Sequence, residues 1–256
     1  MSVSPRHPFV RRCRDVAADR ERGDVVLLDG EHLVADALDA GVPLEGVLTD
    51  GRAEAVVARA EARGVTVHRV SPSVLDAASP VRSPSGIVAL ARWAPRSVED
   101  VLSAAQPLVV GLAGVQDPGN AGGIIRSAEA LGATGVLALD GTADPGGWKA
   151  LRGAMGSTFR VAVGRGTVAA ALAAARARDV RIVATVPSGG VAPDADALTG
   201  PLLVLVGSEG AGLADDVVAA ADLRVTIPMR GAASSLNVGV AAAVILWEAS
   251  STRSRR

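Results

Sequence analysis

Asn120, Arg126, Glu209, Ser235 and Asn237 are the side chains best placed to do chemistry, because each lies in a glycine-bearing junction after an apolar, strand-like run. The junctions are Pro118-Gly119-Asn120-Ala121-Gly122-Gly123-Ile124-Ile125-Arg126, Gly207-Ser208-Glu209-Gly210-Ala211-Gly212 and Ile227-Pro228-Met229-Arg230-Gly231-Ala232-Ala233-Ser234-Ser235-Leu236-Asn237. Strand ends of open α/β sheets bind ligands, since the backbone there leaves the ladder and helix N-termini offer unpaired N–H groups. In the first junction Asn120 stands at an N-cap position, and Arg126, two turns into an otherwise apolar helix, needs a partner. Either Glu129 supplies it as an i,i+3 pair on a solvated face, or a ligand does. The second junction has the glycine content of a phosphate loop but not its Gly-Lys-Ser/Thr ending. A carboxylate at Glu209 would repel a pyrophosphate, which leaves a non-phosphate ligand or a purely structural turn. In the third, Ser234, Ser235 and Asn237 are either helix caps or polar contacts to a ligand.

Other chemistries find no support in the pattern. His7, His32 and His68 are scattered singly, and without HExxH or CxxC no metal is expected. No G-x-S-x-G elbow offers a hydrolase nucleophile, and the rhythm around Gly119 is not the dinucleotide G-x-G-x-x-G. Cys13 is the single cysteine, so no disulfide can close within the chain, which fits a reducing cytoplasm. The longest apolar stretch, Val238 to Trp247, is too short to span a bilayer.

Composition narrows the partners. Lys149 is the sole lysine among 26 basic residues, the rest being arginine, and the net charge is −1. Such a balance argues against non-specific coating of nucleic acid but not against a local patch, for which Arg6, Arg11, Arg12 and Arg14, or Arg253, Arg255 and Arg256, are the clusters. Two Phe, three Trp and no Tyr leave little with which to stack single-stranded bases.

The elements that must position these residues come in two alternating αβ series, in a chain of 256 residues that is 49% hydrophobic. From Val25 to Leu90 the pattern predicts about four strands, at Val25–Leu28, Gly46–Leu48, Val65–His68 and Ile87–Leu90, with helices at Glu31–Ala40, Ala53–Arg63 and Ser73–Ala78 between them. Pro95 and the polar stretch Ser97 to Gln106 read as a linker. The second series starts at Leu108–Leu112 and continues with strands at Gly135–Leu139, Phe159–Val163, Arg181–Val186, Leu202–Val206 and Leu223–Ile227. Helices are expected near Ala121–Leu131, Trp148–Met155, Val168–Arg178 and Asp215–Ala220. Near-continuous β-branched runs predict a mostly parallel sheet. The closing helix, from about Ser235 to Ala249, is apolar nearly all round and needs more than one neighbour, the second of which a subunit interface would supply.

Taken in order, the three junctions resemble the signature motifs of the SpoU/TrmH branch of the SPOUT superfamily, S-adenosylmethionine-dependent RNA 2′-O-ribose methyltransferases. Asp117 to Gly132 is similar to the first motif, Leu205 to Leu213 to the second, and Ile227-Pro228-Met229 to Ser235-Leu236-Asn237-Val238 with Ala241-Ala242-Ala243 to the third. Arg152 to Gly156 resembles a subsidiary segment. Gly239 stands where the family often has Ser, and Ala154 where Ser is common. The resemblance implies an α/β fold with a C-terminal SPOUT domain (108–256) holding a parallel sheet and a trefoil knot, preceded by a linker (93–107) and a small αβ ribosomal-protein-like RNA-binding domain (1–92). It implies a homodimer with the last helix at the interface. Gly207, Ile227, Met229 and Leu236 would hold the adenine and methionine portions of the donor. Asn120, Glu209, Ser235 and Asn237 would shape the site where donor and ribose meet, and the resemblance points to Arg126 for activating the hydroxyl, either as a base or, more easily for a guanidinium that is a poor proton acceptor, by clamping the target phosphate and stabilising developing alkoxide charge. The extra N-terminal domain favours ribosomal RNA over transfer RNA as substrate. A non-catalytic RNA-binding relative would be expected to lack Asn120, Arg126 or Asn237.

Overall fold

The computed structural model describes residues 4–21, 23–194, 197–233 and 235–253; Ser234, Arg255 and Arg256 lie outside them. The chain opens with α1 (Pro8–Ala17), β1 (Val25–Asp29), α2 (Glu31–Asp39), β2 (Leu44–Thr49), α3 (Glu54–Glu61), β3 (Val67–Arg69), α4 (Pro72–Ala78) and β4 (Ile87–Arg92). It continues with α5 (Val98–Val101), β5 (Leu108–Leu112), α6 (Pro118–Ala130), β6 (Gly135–Ala138), α7 (Trp148–Ala154), β7 (Ala162–Arg165) and α8 (Val168–Arg176). Last come β8 (Arg181–Thr185), β9 (Leu202–Val206), α9 (Asp215–Ala219), β10 (Leu223–Val225) and α10 (Val238–Arg253). These pack as two units, one of residues up to Ala94 with Gly146–Phe159, the other of Pro95–Pro145 and the chain from Arg160.

The first unit is built on a four-stranded sheet in the order β1-β4-β2-β3, antiparallel except for β2 with β3. Period-two alternation sends its apolar side chains to two cores. Leu28, Val47, Ile87 and Ala89 face Val34, Leu38 and Val57 of α2 and α3, while Leu27, Leu48, Val88 and Leu90 face Val10, Cys13 and Leu75 of α1 and α4. The helix α1, before the first element expected from the sequence, buries Val10 and Cys13 in the second of these cores with Phe9, Val16 and Ala17 against it; His7 Nδ1 caps it, accepting from Phe9 N–H at 3.3 Å. It also changes the reading of the arginine cluster. Arg12 is clamped between Glu21 (2.8 Å) and Glu45, and Arg11 lies 3.7 Å from Asp15. The helix α7 joins this unit through Leu151, fully buried with Leu33 and Val34.

The second unit carries six parallel strands in the order β10-β8-β9-β5-β6-β7. Leu203, Leu205, Val109 and Leu137 pack on α5, α8 and α9, and the stretch after Ser97, expected as linker, places Val98, Val101 and Leu102 in this core. Val110, Val136 and Val204, equally buried, serve the face left to α6 and α10, which pack on each other. Single-residue parallel bridges flank the sheet, Arg96 with Gly164 of β7 and Val191 with Val225 of β10. A Cβ on Gly164 would lie 2.9 Å from the Arg96 carbonyl, so only glycine admits the first bridge.

Three boundaries differ from expectation for local reasons. The helix α6 begins at Pro118, since Asp117 and not Asn120 is its cap: Asp117 Oδ1 accepts from Asn120 N–H at 2.7 Å and proline takes the first helical position. A 3-10 turn at Ser157–Phe159 delays β7 to Ala162. The helix α10 begins at Val238 because Asn237 Oδ1 accepts from Gly239 and Val240 N–H at 2.9 and 3.4 Å, capping it.

Candidate active site

The carboxyl ends of β8, β9 and β10 lie side by side, and the site is built on the segments that leave them. After β9 the chain turns back at once: Ser208 N–H donates to Gly212 carbonyl at 3.2 Å, Gly212 N–H to Ser208 carbonyl at 3.0 Å, and Ala211 N–H to Ser208 Oγ at 3.2 Å. This requires glycine at both ends. Gly212 has φ +70°, and a Cβ on Gly207 would stand 2.1 Å from Gly212 carbonyl carbon. The turn presents Glu209, exposed, at its tip.

Glu209 is met by the starts of two helices. Asn120, in the first turn of α6, donates from Nδ2 to Glu209 Oε1 at 2.7 Å, and Asn237, the cap of α10, donates from Nδ2 to Asn120 Oδ1 at 3.1 Å. Three side chains separated by 89 and 117 positions in sequence are thus one hydrogen-bonded chain.

Beside it lies a cavity of about 550 Å³ walled by the strand ends and the start of α10. Gly207, Ile227, Met229 and Leu236 line it together with Glu209 and Ser235. Among the described residues its lining includes the carboxylates Glu209 and Asp215 and no lysine or arginine. A pocket of that charge disfavours phosphate groups and suits a cationic ligand, and its volume falls in the range of small-molecule sites, roughly 300–1,000 Å³.

Arg126 stands apart from this cavity. It is exposed on α6, about 9 Å along the helix axis from Asn120 at 1.5 Å per residue. Glu129 does not pair with it; Glu129 Oε1 lies 3.4 Å from Arg160 Nε instead, and Arg126 has no ion pair among the described residues. Its guanidinium fork is therefore available to an anion from outside.

Two parts of the site escape sequence reasoning. Thr185 to Ser188 form a wall after β8, where a strand run leading into Pro187-Ser188-Gly189-Gly190 carries the same signal as the other junctions. Thr226 holds that wall, accepting from Gly190 N–H at 3.0 Å and donating to Val186 carbonyl at 3.1 Å. Asp215 lines the cavity from the start of α9, and nothing in its sequence context distinguishes it from a helix-terminal acid.

A second hollow, about 570 Å³, lies along α6 and α10 between Gly119, Gly123, Ser127, Val240, Val244 and Trp247. Its apolar walls are open: Val240 is 49% and Trp247 60% exposed.

Residues 107–247 match the SpoU rRNA Methylase family, and residues 2–105 match the domain described as Thiostrepton-resistance methylase, N terminus. The chain belongs to the SpoU rRNA methylase family. Among SpoU relatives, the 23S rRNA (guanosine(2553)-2′-O)-methyltransferase RlmP of Bacillus subtilis is 31% identical over 230 residues, 90% of each chain. An AdoMet-bound rRNA methyltransferase from Sinorhizobium meliloti gives a TM-score of 0.85 at 30% identity, covering 97% of this chain and 96% of that one. The SpoU methyltransferase AviRb from Streptomyces viridochromogenes, solved in complex with AdoMet, gives 0.82 at 31% identity over 97% and 98%.

Proposed function

We infer that this SpoU protein methylates a ribose 2′-hydroxyl of ribosomal RNA, using S-adenosylmethionine. The observation that carries the inference is the acidic cavity at the ends of β8, β9 and β10, joined through Glu209 to Asn120 and Asn237. The donor would supply a sulfonium methyl, the carbon–sulfur bond breaking as the bond to the ribose oxygen forms, while the hydroxyl's O–H bond breaks and its proton passes to solvent water. Because charge is neutralised along that path, a water-poor pocket with no competing cation favours it. The backbone at Gly207, Ile227, Met229 and Leu236 would hold the adenine and methionine portions, and Glu209 and Asp215 complement the positive sulfur. Asn120, Glu209, Ser235 and Asn237 shape the meeting point of donor and ribose. Arg126, without a protein ion-pair partner among the described residues, clamps the target phosphate and steadies developing charge on the ribose oxygen; a guanidinium stays protonated and is not the base.

Ribosomal RNA is favoured because the Bacillus subtilis and Sinorhizobium meliloti relatives are rRNA methyltransferases and because the N-terminal αβ domain gives an additional surface for a large target. We assign RNA holding to that domain, residues 1–92, and catalysis to 108–256 apart from the Gly146–Phe159 segment that packs with the first unit, in the cytoplasm where the substrate is. The open apolar hollow along α6 and α10 supports a homodimer with α10 at its centre. The knotted crossing of the C-terminal segments is proposed on the family's pattern.

Calorimetry with S-adenosylmethionine, NAD and ATP tests the donor, and binding of either nucleotide in preference would refute it. Mapping 2′-O-methylation across ribosomal and transfer RNA with and without the gene tests the substrate, and loss confined to transfer RNA would overturn the ribosomal assignment. Arg126→Lys keeps the charge and loses the fork; turnover falls by about 10²-fold or more with donor affinity unchanged, and near-normal turnover would refute the clamp.

A further inference from the structure

We propose that Asn237 is a positioning residue, which through the amide of Asn120 fixes the Glu209 carboxylate at the cavity and couples its orientation to the start of α10. The proposal rests on the activity assigned above and adds how one of its groups is held.

The polarity of the chain is set by its donors. Gly239 and Val240 N–H both point at the Asn237 side chain, at 2.9 and 3.4 Å, and two N–H groups can face only an acceptor. Oδ1 of Asn237 is thereby committed to α10, and its NH₂ group turns to Asn120, whose Oδ1 lies 3.1 Å away. Asn120 then has its own NH₂ toward Glu209 Oε1 at 2.7 Å, where an ionised carboxylate accepts. One arrangement of protons satisfies every member, and exchanging the nitrogen and oxygen of either amide would set like against like. Asn120 is also held from behind, its backbone N–H donating to Asp117 Oδ1 at 2.7 Å. Two helix starts therefore anchor the relay.

Glu209 depends on it. The carboxylate sits at the tip of a turn between Ser208 and Gly210, exposed, and among the described residues Asn120 is its side-chain partner. With Oε1 occupied by Asn120, Oε2 is left for the reaction. Glu209 lines the cavity, whereas Asn120 and Asn237 line the apolar hollow on α6 and α10, so the relay runs from one to the other.

Asn237→Asp separates capping from positioning. An aspartate still accepts from the first turn of α10, so the helix keeps its cap. It offers Asn120 a carboxylate oxygen where an NH₂ stood, the Asn120 amide must turn over, and its oxygen then opposes Glu209. The expected result is a fall in kcat of about ten- to hundredfold, the worth of one charge-assisted hydrogen bond, with KM for RNA within about twofold. Glu209→Gln supplies a donor that closes the reversed relay, so the double variant Asn237→Asp/Glu209→Gln turns over no more slowly than Glu209→Gln alone. A thermal-unfolding cycle over the same four proteins, without RNA or donor, shows the two substitutions to be non-additive, the pair melting higher than the singles predict. Asn237→Asp with wild-type kcat, or losses that multiply in the double variant together with additive melting temperatures, would overturn the relay. Absence of any methyl transfer by the wild type would overturn the assigned activity instead, and the unfolding cycle would still decide the relay.

Discussion

Replacing Gly207 by alanine is the smallest change that should close the cavity. The added methyl carbon would lie 2.1 Å from Gly212 carbonyl carbon, 2.3 Å from Leu213 nitrogen and 2.4 Å from Gly212 oxygen. Ordinary contacts between such atoms are about 3.5–4.0 Å, so the returning strand of the turn must retreat by more than about 1 Å. All three clashing atoms are backbone, and no side-chain rotation relieves them. Leu213, next along, is buried in the core beneath α9, so the retreat strains that packing as well. Overpacking of this kind costs about 1–3 kcal/mol and here belongs at the upper end. At roughly 2–4 °C per kcal/mol for a chain of this size, the melting temperature falls by about 6–12 °C. Because residues 207–213 wall the cavity, S-adenosylmethionine affinity should drop by about tenfold or more, which corresponds to about 1.4 kcal/mol. Circular dichroism melts and titration calorimetry read the two effects. Gly210→Ala is the control, its Cβ meeting nothing within 4 Å, and should leave both unchanged. Gly207→Ala with wild-type melting and donor affinity would show that the close approach at β9 is not what shapes the pocket.

Val240→Asp, placing a charge on the open face of α10, should convert a dimer to monomer in analytical ultracentrifugation without lowering the stability of the monomer by more than about 1 kcal/mol; an unchanged sedimentation coefficient would move the interface elsewhere. The hydrogen bonds from Arg52 hold the Asp50 carboxyl below the usual carboxylate range. That interaction stabilises the fold above the ordinary aspartate pKa and is lost as pH falls through the depressed value, so Arg52→Gln should shift the acid limb of melting temperature against pH upward. Burial pushes the Cys13 thiol up to about 12, so a thiol-specific reagent at pH 8 should label the protein in denaturant and leave it untouched when folded.

Much of the site is legible in the sequence because its residues come after strands whose apolar runs are unmistakable. Leu202–Val206 is observed as expected, and Glu209 and its glycines fall in the turn after it. The cap of α6 lies three positions before the expected Asn120, since Asp117-Pro118 and Asn120 are both good starts and a distance of 2.7 Å, not a propensity, decides between them. Short amphipathic pieces are harder. The helix α5 is four residues long, with Val98 and Val101 buried on a face too brief to show a period. The helix α7 carries its buried Leu151 to a core assembled from residues far earlier in the chain, such as Leu33 and Val34, a pairing that no window of sequence contains. The order β10-β8-β9-β5 likewise depends on where returning strands insert, so the wall at Thr185–Ser188 carries a glycine signal in the sequence but no position in space.

The bridges at Arg96–Gly164 and Val191–Val225 bear on how copies of this chain can meet. Open β margins invite strand-to-strand stacking into fibres, and in the six-stranded sheet each outermost strand already has a neighbour occupying part of its free hydrogen-bonding row. In a crowded solution that sheet would resist growth strand by strand. Enlarging Gly164, which would push the Arg96 segment away, is the lesion by which this fold should begin to precipitate.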